Sequence, residues 1–392
     1  MAPLSVFRGQ CLINAAQIGH LVVLNPRDFG SNLQLELNST HDQQDVCMSA
    51  SDRTVQISLF AWLAVIVTLL LPGCNFSSQS IQPFVSSCRT DSEISAKDLA
   101  SVDKAAIDFV QTALGPNPEA AYLNFTAEAK KNVSSDKFVS VFKQGIQPMG
   151  PFKNLRVART YLAQVTGGAR EQRVVCGNLS SPETWVAVNA RPGPAQAHVI
   201  VEAQTLNNTW GFVLWLLPEE GNWHVQYSQA MATAMVGKTA EDLQRMAESE
   251  MHENHNFDAY ILYTTALQLA ARGPFLQLGI QPEIQKALEN LKPPPVLQGQ
   301  LPFDWKFGQA SFRVLNIGPI GVSQKIYLQI DQEIEPWADD KDADKKNHEL
   351  ISAFSNSYPE YKHAFAGLIV RAHERGGNRL FGTVSETDAV TK

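Results

Sequence analysis

The sequence predicts an α+β protein in which helices pack on an antiparallel sheet, followed by a helical hairpin and a second, smaller α+β unit. Three observations support this class. Apolar residues recur every three or four positions after residue 93, and apolar and polar residues alternate after residue 151. From residue 237 onwards the helical period returns and is followed by a mixture of both patterns. Helices that precede a run of strands in this way are typical of α+β domains.

Length and charge limit the kinds of function to consider. A chain of 392 residues has room for several domains, each with its own core. The net charge is −7, and the sequence contains no long cluster of lysine and arginine. Since nucleic-acid-binding proteins present such a cluster, we expect no nucleic-acid partner.

Residues 57–72 form an uncharged apolar stretch in the N-terminal part of the chain. It is short for a membrane span, which needs about 20 residues. A chain that begins at Met48 would have a short polar segment with Arg53, then this stretch, as in a signal peptide. We therefore interpret residues 48–73 as a signal segment and residues 1–47 as an over-extended start or a disordered extension.

The residues after this stretch, Leu71-Pro72-Gly73-Cys74, resemble the lipobox of bacterial lipoproteins. The resemblance implies acylation of Cys74, cleavage before it, and a position in the bacterial cell envelope, facing outside the cytoplasm. More than one acyl chain gives firm attachment to a lipid bilayer. Residues 74–92 are rich in serine and are predicted to be a flexible tether. An uncleaved signal-anchor helix and a buried core helix stay open as alternatives.

Two further cysteines, Cys88 and Cys176, follow Cys74 in the sequence. An oxidising envelope would permit a disulfide between them. Because Cys88 falls in the predicted tether and Cys176 in a predicted strand, the sequence favours two unpaired thiols.

Residues 93–230 are predicted to form the first α+β domain. The leading helix carries an apolar stripe and is stopped by Gly115 and Pro116. Two shorter helices follow, and then residues alternate with a period of two. The predicted strands cover residues 155–165, 172–177, 184–190, 198–206, 211–217 and 223–228.

The segment GNWHVQYSQ at residues 221–229 resembles the last strand of many bacterial members of the nuclear transport factor 2-like superfamily. That resemblance implies a cystatin-like cone, in which a long helix packs into a curved antiparallel sheet. Some relatives carry catalytic groups in the cavity of the cone. His224 lies between Trp223 and Val225 on this strand, so it faces opposite to both, and either His224 or the tryptophan would point into such a cavity. The favoured alternative is an exposed or hydrogen-bonded strand histidine without a functional role.

Residues 237–291 return to the helical period and resemble a single tetratricopeptide-like hairpin. The resemblance is carried by small and large residues at the expected spacing, namely Leu243, Met246, Ala247, Ala259, Tyr263 and Ala266. A single hairpin of this kind cannot cover both of its faces. We therefore predict that Tyr260, Tyr263 and Leu267 either bind a partner or join the two α+β units.

A proline-rich break precedes the last predicted domain, residues 301–392. Its sequence predicts a second, smaller α+β unit. The expected elements are strands at residues 310–317 and 324–334, a helix at 345–355, and strands at 363–372 and 379–384.

Two acidic or histidine-containing segments are candidates for metal sites. His252 and His255, with Glu253 or Asp258 nearby, are one residue short of the zinc-binding H-E-x-x-H spacing, so a solvated loop is favoured. The acidic run at residues 340–344 lacks the glycine and glutamate that a calcium loop requires. The sequence therefore predicts neither a metal nor a cofactor.

These patterns favour a membrane-anchored lipoprotein that binds or scaffolds a protein or peptide, with the bilayer as its other partner. They include no recognisable catalytic motif, so an enzyme is the less favoured hypothesis. The alternative is a cone-fold enzyme or small-molecule binder, with its chemistry in the cavity of residues 93–230.

Overall fold

The structure is a computed structural model that describes residues 85–387, apart from residues 169, 293, 295–296 and 298–300. The predicted extension, the signal segment, Cys74 and residues 75–84 of the tether lie outside the described residues. The described fold is α+β, with helices on a curled antiparallel sheet. The predicted fold class is therefore confirmed.

The helices that precede most of the sheet are α1 (Ala96–Leu114), α2 (Glu119–Tyr122), α3 (Ala129–Asn132) and α4 (Ser135–Ser140). Ser95 caps α1, because its side chain accepts a hydrogen bond from the backbone N–H of Asp98. The predicted apolar stripe of α1 packs into the core through Val102, Ala106, Phe109, Val110 and Ala113.

The strands around these helices form two sheets. They are β1 (Val85–Thr90), β2 (Lys153–Thr166), β3 (Gln172–Gly177), β4 (Trp185–Ala190), β5 (Gln196–Gln204), β6 (Asn208–Glu219), β7 (Asn222–Met235), β8 (Lys238–Thr239) and β9 (Leu276–Leu278). The larger sheet is antiparallel with the order β1-β2-β5-β6-β7-β8. The smaller sheet has the order β3-β4-β9.

The central strands of the larger sheet, β5 to β7, are buried on both faces. One face packs on α1–α4 through an aromatic core that includes Phe109, Phe138 and Trp210. The other face packs on the smaller sheet through residues such as Ile200 and Met231. For this reason β5, β6 and β7 contain long runs of buried residues instead of a regular alternation.

The prediction of a tether through residue 92 is wrong for its described part. Residues 85–90 form β1, which pairs antiparallel with residues 161–166 of β2. A short 3-10 turn at Asp91–Glu93 then leads into α1. The segment is polar because β1 is an outer strand of the sheet, so its composition resembles that of a linker.

The preference for two unpaired thiols is also wrong. Cys88 on β1 and Cys176 on β3 form a disulfide across 88 positions of sequence. The two strands lie side by side because β1 extends the larger sheet and β3 belongs to the sheet that covers it. A pairing of this kind depends on tertiary structure and leaves no local signal in the sequence.

The helical hairpin consists of α5 (Ala240–His252) and α6 (Asn256–Ala270), and α7 (Ile280–Asn290) follows β9. Thr239 caps α5 in a capping box with Asp242. The hairpin shares one hydrophobic core with the end of β7 and with the C-terminal sheet. It therefore joins the two α+β units.

The C-terminal unit contains β10 (Phe303–Phe307), β11 (Ala310–Val322), β12 (Lys325–Ile334), α8 (Asp340–Ser357), α9 (Tyr361–Ala364), β13 (Gly367–Glu374) and β14 (Leu380–Glu386). Its sheet has the order β10-β11-β12-β13-β14. β12 and β13 are parallel, because α8 and α9 carry the chain back across one face between them. The predicted strand at 363–372 starts later than expected, since His363 lies in α9.

Candidate functional site

Three potential ligand side chains converge where the hairpin turns from α5 to α6. They are Glu250, His255 and Asp258, and one ligand atom from each lies within 4.8 Å of the others. Glu250 and Asp258 are buried, and His255 is half-buried. The site is therefore a small, mostly enclosed group of two carboxyl groups and one imidazole.

The local backbone explains why these residues meet. α5 ends at His252, and Asn254 adopts a left-handed conformation with φ 65°. Asparagine tolerates this conformation better than most residues do. The backbone N–H of His255 donates to the carbonyl oxygen of Glu250 at 2.9 Å, which folds the turn back on the helix. The His255 Nδ1 atom then lies 2.7 Å from a carboxylate oxygen of Glu250.

Asp258 is the unusual member of the group. Its side chain is 0% exposed, and neither carboxyl oxygen has a hydrogen-bond partner in the described part of the chain. Burial, with smaller contributions from the charges of Glu250 and Glu360, raises the pKa of Asp258 to about 8. A buried carboxyl group without a partner is rare, since buried polar groups are almost always hydrogen-bonded.

The C-terminal unit borders the same group of residues. α9 packs against both α5 and α6, and the ring of His363 lies 5.0 Å from that of His255, centroid to centroid. The His363 side chain is exposed, so it is free to change its rotamer. The site is therefore formed at the contact between the hairpin and the C-terminal unit.

Sequence reasoning found part of this group and missed the rest. It paired His252 with His255, but His252 is exposed and does not belong to the group. It also missed Glu250, which was not among the predicted metal ligands. A signal was present, since Glu250 continues the buried stripe of Leu243 and Ala247 at helical spacing.

The predicted partner-binding residues lie on α6, with different exposures. Tyr263 is 2% exposed and lies inside the core that the hairpin shares with the C-terminal sheet. Tyr260 and Leu267 are half-buried and pack against the same core. Leu267 also lines a groove of about 350 Å³ between α6 and α7, together with Gln277, Gln281, Pro282, Gln285, Lys286 and Glu289. Partner binding at these residues stays a prediction.

His224 lies on β7, half-buried and opposite Leu217 of β6. Trp223 and Val225 pack into the core beneath α1, so the strand alternation directs His224 to the other face. Between α1 and the sheet, the interior is filled by aromatic rings, with Phe109, Phe125 and Phe138 separated by 5.2–6.1 Å. The cavity role of His224 stays a prediction.

A second buried polar group lies in the C-terminal sheet. Arg371 on β13 donates two hydrogen bonds, of 2.6 and 2.7 Å, to the two carboxylate oxygens of Asp331 on β12. Gln329 also donates to this carboxylate. The charges of this group compensate one another, so it has the features of a structural ion pair.

The chain matches no protein-family model, no curated protein and no solved structure. No helix within the described residues is both long and apolar enough to cross a membrane.

Proposed function

We propose that this protein is an envelope lipoprotein that is anchored through acylated Cys74 and scaffolds a protein or peptide partner. The observation that carries the proposal is the disulfide between Cys88 and Cys176. Disulfides form and persist in oxidising compartments such as the bacterial envelope and are rare in the cytosol. The disulfide thus supports, independently of the lipobox-like segment Leu71–Cys74, the envelope location that this segment implies.

A scaffolding role is supported by the position of the hairpin. The hairpin packs on both α+β units, so the described residues form one continuous surface to which a partner can bind. The groove between α6 and α7 is the proposed contact. Leu267 contributes an apolar side chain to its lining. The carboxamide oxygens of Gln277 and Gln281 already accept from Arg173 and from the backbone N–H of Leu278, but their NH2 groups can donate to the carbonyl oxygens of an extended peptide.

The alternative function, chemistry inside the cone, has less support. The aromatic core beneath α1 occupies the space where a cone-fold enzyme would hold its substrate. A groove of about 800 Å³ lies outside that core, between the end of α1 and the start of β2. The described polar residues that line it include Gln111, Gln147, Lys153 and Asn154, and among them there is no pair of groups suited to general acid-base chemistry.

The anchor is tested by metabolic labelling with a fatty-acid analogue. The wild-type protein should incorporate the label and fractionate with membranes, because the acyl chains would be attached to Cys74. The Cys74→Ala variant should lose the label and either leave the membrane fraction or retain its signal segment. Labelling that persists in this variant would contradict the lipoprotein proposal.

The partner site is tested by site-specific photo-crosslinking in intact cells. A crosslinking residue at Gln285, in the groove, should give a defined adduct that disappears when Leu267→Lys is introduced. The matched control is a crosslinking residue at Leu206, which is 83% exposed and lies in the turn between β5 and β6. Equal adducts from both positions, or none from Gln285, would contradict a partner in this groove.

A further inference from the structure

We propose that Glu250, His255 and Asp258 bind a divalent transition-metal ion of the zinc class at the turn of the hairpin. The proposal starts from geometry, since one ligand atom from each residue lies within 4.8 Å of the others. Tetrahedral ligands about 2.1 Å from zinc lie about 3.4 Å from one another. Small side-chain rotations are therefore enough to bring the three groups to one ion.

A second observation points to a cation at the same place. Asp258 is fully buried, and both of its carboxyl oxygens lack a hydrogen-bond partner in the described part of the chain. Its electrostatic neighbours, Glu250 and Glu360, are acidic as well. Among the described residues, no lysine or arginine forms an ion pair with Glu250 or Asp258. Buried charges are normally paired or bound to a metal, and a bound dication would supply the positive charge that this group lacks.

The donor set indicates which ions fit. One imidazole nitrogen with two carboxylate oxygens suits zinc and its neighbours in the first transition series. Calcium and magnesium favour sites made of oxygen atoms alone. We assign the fourth ligand position to His363, because its ring already lies beside that of His255 and its side chain is exposed.

With this fourth ligand the ion would connect the hairpin to α9 of the C-terminal unit. The contacts of α9 with α5 and α6 already hold the two parts together. A metal at their junction would therefore act as a structural clamp, in addition to any role of the hairpin in binding a partner. The inference does not depend on the anchor or on the groove between α6 and α7.

The experiment is a zinc titration of the purified full chain in detergent, after removal of bound metal with a chelator. Calorimetry should show one ion per chain in the presence of excess magnesium, and zinc should raise the melting temperature. Asp258→Asn and His255→Gln should each weaken binding at least about 100-fold, since loss of outer partners alone costs 10–100-fold. His363→Ala should weaken binding while keeping one ion per chain.

The matched control is His252→Gln, which removes a histidine from the same turn but from outside the group. It should keep wild-type affinity. The proposal is overturned if the wild-type chain binds no stoichiometric zinc, or if Asp258→Asn retains wild-type affinity, as expected for a carboxyl group that is simply buried in its neutral form. If the Asp258→Asn variant does not fold, wild-type zinc affinity in His255→Gln would overturn the proposal instead. Unchanged affinity in His363→Ala would overturn the assignment of the fourth ligand.

Discussion

Cys88 and Cys176 form a disulfide that ties the outer strand β1 to β3, although 88 positions separate them in the sequence. Among the described residues, β1 pairs with β2 alone, so the disulfide gives it a second, covalent attachment. If Cys74 is acylated as we propose, β1 is also the first strand after the anchor. The disulfide would then connect the anchored end of the chain to both sheets.

Removing this disulfide should destabilise the protein. The double variant Cys88→Ala/Cys176→Ala should lose about 2–4 kcal/mol of the free energy of unfolding, because the unfolded chain gains freedom when a long loop is opened. Urea unfolding without reductant measures the difference. A reductant should shift the wild-type midpoint in the same direction and leave that of the double variant unchanged. Coincident midpoints for the two proteins would contradict the prediction.

His198 should make stability depend on pH. The His198 Nε2 atom lies 2.7 Å from the carbonyl oxygen of Asn189, and the ring stacks on Trp215. Burial lowers the pKa of His198 from 6.5 to about 4, with a small opposing contribution from that hydrogen bond. Between pH 6.5 and 4 the unfolded chain therefore binds a proton that the folded chain does not. The free energy of unfolding should fall by about 3 kcal/mol as the pH is lowered through this range.

The measurement is urea unfolding at a series of pH values. His198→Gln can still donate a hydrogen bond to Asn189 but cannot be protonated, so its stability should fall less steeply towards acid pH. His348→Gln changes an exposed histidine on α8 and should follow the wild-type curve. If His198→Gln and the wild type lose stability in parallel, His198 does not cause the pH dependence.

Much of the fold could be predicted from periodicity. The stripe on α1 and the strand at residues 172–177 were predicted closely, because each shows one clear period and one buried face. The end of β7 was missed, since residues 229–235 are buried on both sides and show no alternation. β1 was missed for the opposite reason, because its few apolar residues do not distinguish an outer strand from a linker.

The candidate site was only partly predictable. Asp258 and His255 lie close together in sequence and could be noticed as a polar group. Glu250 joins them only because the turn at Asn254 folds His255 back onto α5, and His363 arrives from a helix more than a hundred positions later. Residue spacing within a helix predicts which residues share one face of that helix. It cannot predict this group, because the group depends on the turn between α5 and α6 and on the packing of α9 against them.

Tyr263 should contribute strongly to stability because it is buried in the hydrophobic core that the hairpin shares with the C-terminal sheet. Tyr263→Ala should cost about 2–4 kcal/mol, as is usual when a large core side chain is truncated. Thermal or urea unfolding of the full chain measures this loss. Leu206→Ala, a truncation at an exposed position, should have little effect. If both variants unfold like the wild type, the hairpin does not join the two units in the way that we describe.

Arg371 should be essential to stability because it neutralises Asp331 inside the C-terminal unit. Burial alone would raise the pKa of Asp331, but the two hydrogen bonds and the charge of Arg371, with His373 3.7 Å away, lower it, so the carboxylate is ionised at neutral pH. Arg371→Met would leave that buried charge without its bidentate partner, at a cost of about 3–5 kcal/mol. The double variant Asp331→Asn/Arg371→Met should recover most of this loss, since the introduced amide would carry no charge and its oxygen could still accept from Gln329.

The matched control for this pair is Arg375→Met. Arg375 bonds Glu333 at 2.8 Å on the exposed end of the same strands, where water screens the charges, so its loss should change stability little. Urea unfolding at neutral pH compares all four proteins. The ion pair stabilises the folded state at neutral pH, and this stability is lost as the pH falls through the lowered pKa of Asp331. The loss of unfolding free energy caused by Arg371→Met should therefore become smaller in acid. A double variant as unstable as Arg371→Met would show that packing, and not an uncompensated charge, determines the loss.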